Sequence, residues 1–247
     1  MKISLRNVTV AYPVNITGRQ QSALAAAAKA LSFGKLAKDA SNATYVMSLN
    51  NVSVNVAEGS RIGLIGRNGS GKSTLLRTLA GIITPRSGQR VVDGTIGCVL
   101  NLGAGLENDR SGIDNLRMIA RLYGMEGPEL RNAVDDAAEF TELGHFLNLP
   151  VRTYSSGMVA RLCFSIATAR HADVMLIDEV IGTGDAHFVA KAGNRIREIC
   201  SKSGAVVLAS HDKNILSDFT DEAIWLDSGV VRKEGKLDEV WAHYSAQ

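Results

Sequence analysis

The chain is short of cysteine, proline, aromatic residues and net charge. Its 247 residues include three cysteines, four prolines, 5% aromatics and a formal net charge of +2. Cys98, Cys163 and Cys200 are odd in number and widely spaced, which excludes a disulfide framework and a zinc-finger spacing. They read as three reduced thiols of a cytosolic fold. The mild charge argues against a nucleic-acid partner, because such proteins concentrate basic side chains on one face. No run approaches the roughly 18 apolar residues that a membrane span requires. The opening MKISLRNVTVAYP alternates like a strand and has no apolar stretch of the signal-peptide kind. With 45% hydrophobic residues there is enough apolar matter for one large core or two packed subdomains.

Residues 1 to 12 read as a strand. Residues 14 to 45 are Ala-rich and mildly basic, and Leu24, Ala28 and Leu31 would share a helical face. That segment reads as an insertion between two strands, either a surface helix or a loop. SLNNVSVNVAEGSRIGLIG reads as two strands around a turn at Glu58-Gly59, with short strands again between Gln89 and Leu100. From Ser111 to about Phe146 the period is helical, with Leu116, Ile119 and Tyr123 in step. VMLID (174–178) and AVVLAS (205–210) are short continuous apolar runs, the pattern of strands buried on both faces of a parallel sheet. Asp227-Ser228-Gly229 lies between two strand-like runs and predicts a hairpin. Strands alternating with helices indicate an α/β fold.

Gly66-Arg67-Asn68-Gly69-Ser70-Gly71-Lys72-Ser73 follows the strand-like RIGLI and opens the helix-like TLLRTLAGI. This is a P-loop pattern in its proper context. Its glycines would let backbone N–H groups wrap phosphates, Lys72 is expected to reach the β- and γ-phosphates, and the Ser73 hydroxyl to hold Mg²⁺. Asp178 and Glu179 end the VMLI strand, where α/β sheets bind ligands. Asp178 is expected to act on Mg²⁺ and Glu179 to polarise the attacking water. His211 ends AVVLAS, a strand expected to run parallel to that of Asp178, and is expected at the γ-phosphate or the attacking water. YSSGM (154–158) precedes an apolar helical run; Ser155 and Ser156 suit a helix cap and Gly157 a close backbone approach to an anion.

In this order the motifs resemble the ATP-binding subunit of ABC transporters over nearly the whole chain. GRNGSGKS looks like that family's Walker A motif and VMLIDE its Walker B. Ser210-His211-Asp212 resembles its switch-histidine region, Gly184-Asp185 its D-loop, and YSSGM stands where LSGGQ is usual. The resemblance implies a single nucleotide-binding domain over 1–247. It would have a P-loop NTPase core with a parallel sheet, an antiparallel β subdomain and a helical subdomain over about 111–170. It further implies ATP and Mg²⁺ as ligands and a head-to-tail homodimer, with Ser155, Ser156 and Gly157 of one subunit closing on ATP held by the other. Tyr12 falls where an aromatic stacks on adenine. Asn68, Gly69, Ser70, Gly71, Thr74 and Asp185 fall within nucleotide-contacting motifs. Asn101 stands nearest to where the family has its Q-loop glutamine, a metal ligand.

YSSGM, the LGAG stretch, SGIDN and DEVIGTGDAHF together resemble the subgroup that exports bacterial cell-surface polysaccharides, and the insertion after Tyr12 resembles its O-antigen branch. The implied role is an ATPase at the cytoplasmic face of the inner membrane, driving a separate permease that moves a lipid-linked polysaccharide. The permease would dock beside Asn101 to Asn108. Some members carry a carbohydrate-binding domain at the C-terminus; none is expected here, since the chain ends at WAHYSAQ. The alternatives are a soluble ABC ATPase acting on nucleic acid or ribosomes, a subunit transporting another substrate, and a nucleotide kinase. One P-loop, no sustained heptads and near-neutral charge weigh against the first; the ordered motifs weigh against the last.

Overall fold

A computed structural model describes residues 2–14, 36–38, 44–100, 105–178 and 186–247. In chain order the strands are β1 (Ile3–Val14), β2 (Leu36–Lys38), β3 (Thr44–Val56), β4 (Arg61–Ile65), β5 (Ser87–Val92), β6 (Ile96–Val99), β7 (Val174–Asp178), β8 (Ala205–Ala209), β9 (Glu222–Asp227) and β10 (Val230–Lys236). The helices are α1 (Lys72–Ala80), α2 (Gly112–Leu122), α3 (Gly127–Thr141), α4 (Ser156–Ala167), α5 (Ala186–Lys202), α6 (Lys213–Phe219) and α7 (Leu237–Ser245). The chain divides into two compact units, Met1–Gly94 with Ala205–Gln247, and Thr95–Gly204.

The first unit holds two sheets. One is antiparallel in the order β2-β3-β1-β5. In the other, β4 pairs in parallel with β8 on one side and β9 on the other, and β10 returns antiparallel to β9. Ile62, Leu64 and Ile65 of β4 and Val206, Val207 and Leu208 of β8 are all buried. A strand covered on both faces has no polar side to alternate, which is why these runs read as continuous apolar stretches. The β9–β10 hairpin turns on Ser228 (φ 52°) and Gly229 (φ 78°), with Asp227 opposite Val230. Two consecutive positive φ values make the turn whose twist suits a hairpin.

Most of the Ala-rich insertion, including Leu24, Ala28 and Leu31, lies outside the described residues. Its described part differs from the helix-or-loop expectation: Leu36–Lys38 pairs with Thr44–Val46 of β3 as a short antiparallel strand. Three residues offer too little periodicity to be seen in sequence.

In the second unit β6 and β7 run parallel, Ile96 opposite Val174 and Val99 opposite Ile177. The helices α2, α3 and α4 enclose a core that includes Leu116, Ile119, Val134, Leu162 and Ile166, in step with the helical period. Each fully buried leucine of this kind contributes on the order of 2 kcal/mol from its removal from water. Ser111 caps α2 by accepting from the Asp114 amide at 3.2 Å, and Pro128 falls in the first turn of α3.

Candidate functional site

The loop Gly66–Gly71 leaves the buried end of β4 and enters α1. At Gly66 (φ 152°) a Cβ would run into the Leu226 carbonyl oxygen and lie 2.6 Å from Ser70 Oγ. At Gly71 (φ 114°) it would lie 2.8 Å from the Ser48 carbonyl oxygen. Both positions therefore demand glycine on two counts, backbone conformation and space. The Ser70 amide donates to Arg67 O at 3.0 Å. The hairpin turn braces the loop from outside: the Gly229 amide donates to Ser70 O and the Asn50 amide to Gly229 O, each at 2.8 Å. Thr74 is held by Ser48, whose hydroxyl donates to Thr74 Oγ1 at 2.7 Å.

Lys72 is only 7% exposed, and its ammonium donates to Gly66 O at 2.6 Å and Arg67 O at 3.3 Å. A buried ammonium tied to two loop carbonyls is pre-aimed at whatever the loop holds. Gly71 supplies no side-chain cap to α1, and the first turn carries no acidic residue. Its N–H groups and the positive end of its dipole thus have no anionic partner within the helix. Ser70 Oγ is a buried side-chain oxygen with no hydrogen-bond partner among the described residues. A lysine, an uncapped helix start and an orphaned hydroxyl in one glycine-shaped loop are the chemistry of a phosphate cradle. Asn68 and Gly69 form the exposed tip of this loop. Ser73 is half-buried in the first turn of α1, and Tyr12 stands exposed on β1, opposite Val46.

His211 is exposed in the loop between β8 and α6. Ser210 behind it is buried and its hydroxyl accepts from the Asp212 amide at 3.1 Å, while the Asp212 carboxylate caps α6 through the Asn214 amide at 2.7 Å. These two short bonds fix the backbone that presents His211.

In the second unit Asp178 is half-buried at the carboxyl end of β7, after four buried apolar residues. Glu179, Asn101 and Asp185 lie outside the described residues, as does Gly184. Ser155 is the N-cap of α4, and its hydroxyl accepts from the Met158 amide at 3.3 Å. Ser156 and Gly157 form the first turn, which contains no acidic residue. Here too a helix start is left with donors for an anion.

Sequence reasoning missed Tyr154. Its hydroxyl donates to Phe146 O at 2.7 Å, and burial raises the pKa of the phenol. Its ring end fills the space over Gly112, where a Cβ would run into the Tyr154 hydroxyl. The tyrosine thus ties the short helical turn Val151–Thr153, which leads into α4, to the start of α2. Gly112→Ala is expected to cost about 1–3 kcal/mol by overpacking, and Tyr154→Phe about 1 kcal/mol through the lost hydrogen bond. Denaturant unfolding of the two variants measures both; wild-type midpoints would remove Tyr154 from this role.

Glu142 is a second feature without a sequence signal. It takes a left-handed conformation (φ 57°) after α3 and meets Lys191 at 2.6 Å, His187 at 3.8 Å and Arg161 at 3.9 Å. Arg161 of α4 also lies 4.9 Å from the ring centre of Phe188 on α5. Phe140, Phe164 and Phe188 lie 5.8–5.9 Å from one another. The hydrogen bond from Lys191, with the nearby positive charges, lowers the Glu142 pKa below its ordinary 4.5. A depressed carboxylate adds stability that is present above 4.5 and is lost as pH falls through its native value. Melting curves taken below pH 4.5 should therefore show the wild type losing more than Glu142→Gln; parallel losses would dismiss the clamp.

Residues 49–182 match the model of the ABC transporter family. The O-antigen export system ATP-binding protein RfbE of Yersinia enterocolitica is 38% identical over 229 residues, 93% of this chain and 95% of that protein. The O-antigen export system ATP-binding protein RfbB of Myxococcus xanthus is 40% identical over 203 residues, 82% of this chain and 46% of its own length. The teichoic acids export ATP-binding protein TagH of Lactococcus lactis is 38% identical over 197 residues, 80% of this chain and 42% of its own. The chain thus spans under half the length of the last two. Among solved structures, a dimeric ATP-binding cassette in a post-hydrolysis state with ADP and Pi superposes with a TM-score of 0.70 at 22% identity, covering 95% of this chain and 98% of that one. At that identity the likeness is one of fold.

Proposed function

This chain belongs to the ABC transporter family, and from that premise we propose that it is the ATP-hydrolysing subunit of an exporter for a lipid-linked cell-surface polysaccharide. The observation that carries the ATPase half of the proposal is the cradle itself: Lys72 held on Gly66 O and Arg67 O, in one loop with an orphaned Ser70 hydroxyl. The export half rests on relatives named for O-antigen and teichoic acid export.

In this reading the backbone of Gly66–Gly71 and the start of α1 bind the phosphates, with Asn68, Gly69, Ser70 and Thr74 in the same wall. Lys72 neutralises charge that develops on the transferred phosphoryl group. Tyr12 stacks on the adenine. No group of three or more His, Cys, Asp or Glu side chains among the described residues could hold a metal. A magnesium ion would have Ser73 and Asp178, and Asn101 in place of a glutamine, as protein ligands, with nucleotide and water completing its shell. When bound it supplies positive charge against the phosphates. Glu179 takes the proton of the attacking water, and His211 orients that water or the γ-phosphate.

The signature closes the site from a second copy. Ser155, Ser156, Gly157 and the first-turn amides of α4 meet the γ-phosphate bound by the partner's cradle, and Asp185 lies at that contact. Two ATPs close the homodimer, and hydrolysis reopens it. The motion passes to a membrane permease docked beside Asn101–Asn108, and the polysaccharide crosses through the permease. No described helix is long and apolar enough to cross a membrane. The permease holds the subunit at the cytoplasmic face of the inner membrane. Deleting the gene and restoring it on a plasmid tests the assignment: the surface polysaccharide should vanish and return. A surface unchanged by deletion rejects export.

A further inference from the structure

Asn115 is fully buried near the start of α2, and its side-chain amide is spent on one stretch of backbone. Its Oδ1 accepts from the Glu107 amide at 2.8 Å. Its Nδ2 donates to Ser111 O at 2.9 Å, to Glu107 O at 3.0 Å and, more weakly, to Arg110 O at 3.4 Å. The loop it holds is exposed at every residue from Glu107 to Arg110, so no side chain there is sunk in a core. The ion pair of Asp109 with Arg152 spans 3.6 Å between side chains that are 90% and 66% exposed, and pairs of that kind contribute little. The shape of this loop therefore rests largely on the buried amide, whose loss would leave several backbone groups unpaired at once.

The same loop carries the segment that leads into YSSGM. The Val151 amide donates to Arg110 O and the Arg152 amide to Asn108 O, each at 2.9 Å. The Gly112 amide donates to Leu149 O at 3.2 Å, and Ser111 pairs with Pro150 as an isolated antiparallel bridge. Residues 108–112 and 149–152 thus form a short ladder, and Arg110 O is shared between Val151 and Asn115. Asn115 makes no hydrogen bond to residues 149–154 among the described residues. Its hold on them passes through the loop. Arg152 stands three residues before Ser155, the N-cap of α4.

We propose that Asn115 is a positioning residue for the signature: by fixing the loop Glu107–Ser111 it sets where Ser155, Ser156 and Gly157 stand. This rests on the reading in which those three residues close on ATP held by a second copy. Glu107 and Asn108 also end the stretch beside which the permease is proposed to dock, so a push on that loop reaches Ser155 through the ladder.

Full-length Asn115→Ala tests this, with Asn115→Ser carrying the same measurements should the alanine variant not fold. The amides of Val151 and Arg152 should exchange hydrogen at least about tenfold faster, along with those of Glu107 and Arg110, while β4 and β8 in the other unit keep wild-type rates. Placed in a Glu179→Gln background, the substitution should weaken the ATP-bound dimer at least about tenfold. ATP affinity of the single subunit should be kept, because the cradle lies in the other unit. Ser155→Ala in the same background is the control for the signature itself. Wild-type exchange at Val151 and Arg152 overturns the proposal. So does ATP affinity that falls in step with the dimer, or a dimer of full strength where Ser155→Ala weakens it. A dimer at full strength in Ser155→Ala as well would reject the closing role of the signature instead, and exchange at Val151 and Arg152 then decides for or against the hold of Asn115.

Discussion

Replacing Lys72 with alanine is expected to lower ATP turnover by about two to three orders of magnitude, the usual cost of removing one preorganised electrostatic stabiliser. The side chain is buried and its ammonium is already fixed by Gly66 O and Arg67 O. Little reorganisation is therefore left to be done when phosphate charge develops, and its worth is highest in the transition state. Lys72→Ala removes that charge from a loop whose other inward donors are backbone amides and the Ser70 hydroxyl, so ATP affinity falls as well. The loop should survive, because its shape is held by glycines and by the Gly229-to-Ser70 bond. Initial rates of phosphate release, with nucleotide titration and a melting curve, separate these effects. Turnover within threefold of wild type would remove Lys72 from the chemistry.

Glu179→Gln is expected to act differently. A general base contributes about 10²–10⁴ to the rate, and glutamine keeps the size while losing the proton acceptance. Hydrolysis should fall by that much with nucleotide affinity nearly kept, so kcat drops while KM changes little. Because closure is proposed to be driven by ATP and reversed by hydrolysis, the variant should accumulate as an ATP-bound dimer on gel filtration while the wild type with ADP stays monomeric. A variant that hydrolyses at wild-type rate would move the base elsewhere. One that stays monomeric with ATP would undo the closing role of Ser155, Ser156 and Gly157.

Features carried by local pattern are legible in the sequence. RIGLI, VMLID and AVVLAS are strands because a chain buried on both faces has no polar side to show. Asp227-Ser228-Gly229 is a hairpin turn because few residue types tolerate consecutive positive φ values. The cradle is legible because Gly66 and Gly71 have no substitutes at their positions. What stays hidden depends on residues far apart in sequence. Gly229 bracing Ser70, and Ser48 holding Thr74, join segments that no period connects. Tyr154 reads as a departure from LSGGQ. Its reason is Gly112, 42 positions earlier, which leaves room for the phenol. Glu142 reads as an ordinary helix-end glutamate, yet it gathers Lys191, His187 and Arg161 around α3, α4 and α5.

ATP hydrolysis by this subunit is proposed to drive export of a lipid-linked polysaccharide. Its most direct test is the lipid extract of the native host carrying Glu179→Gln, probed for glycan attached to polyprenyl phosphate. This polymer should accumulate inside the cell while the surface loses its polysaccharide, and sugar analysis of the polymer then names the cargo. A normal surface with no accumulated intermediate would contradict the export assignment and leave an ATPase with another task.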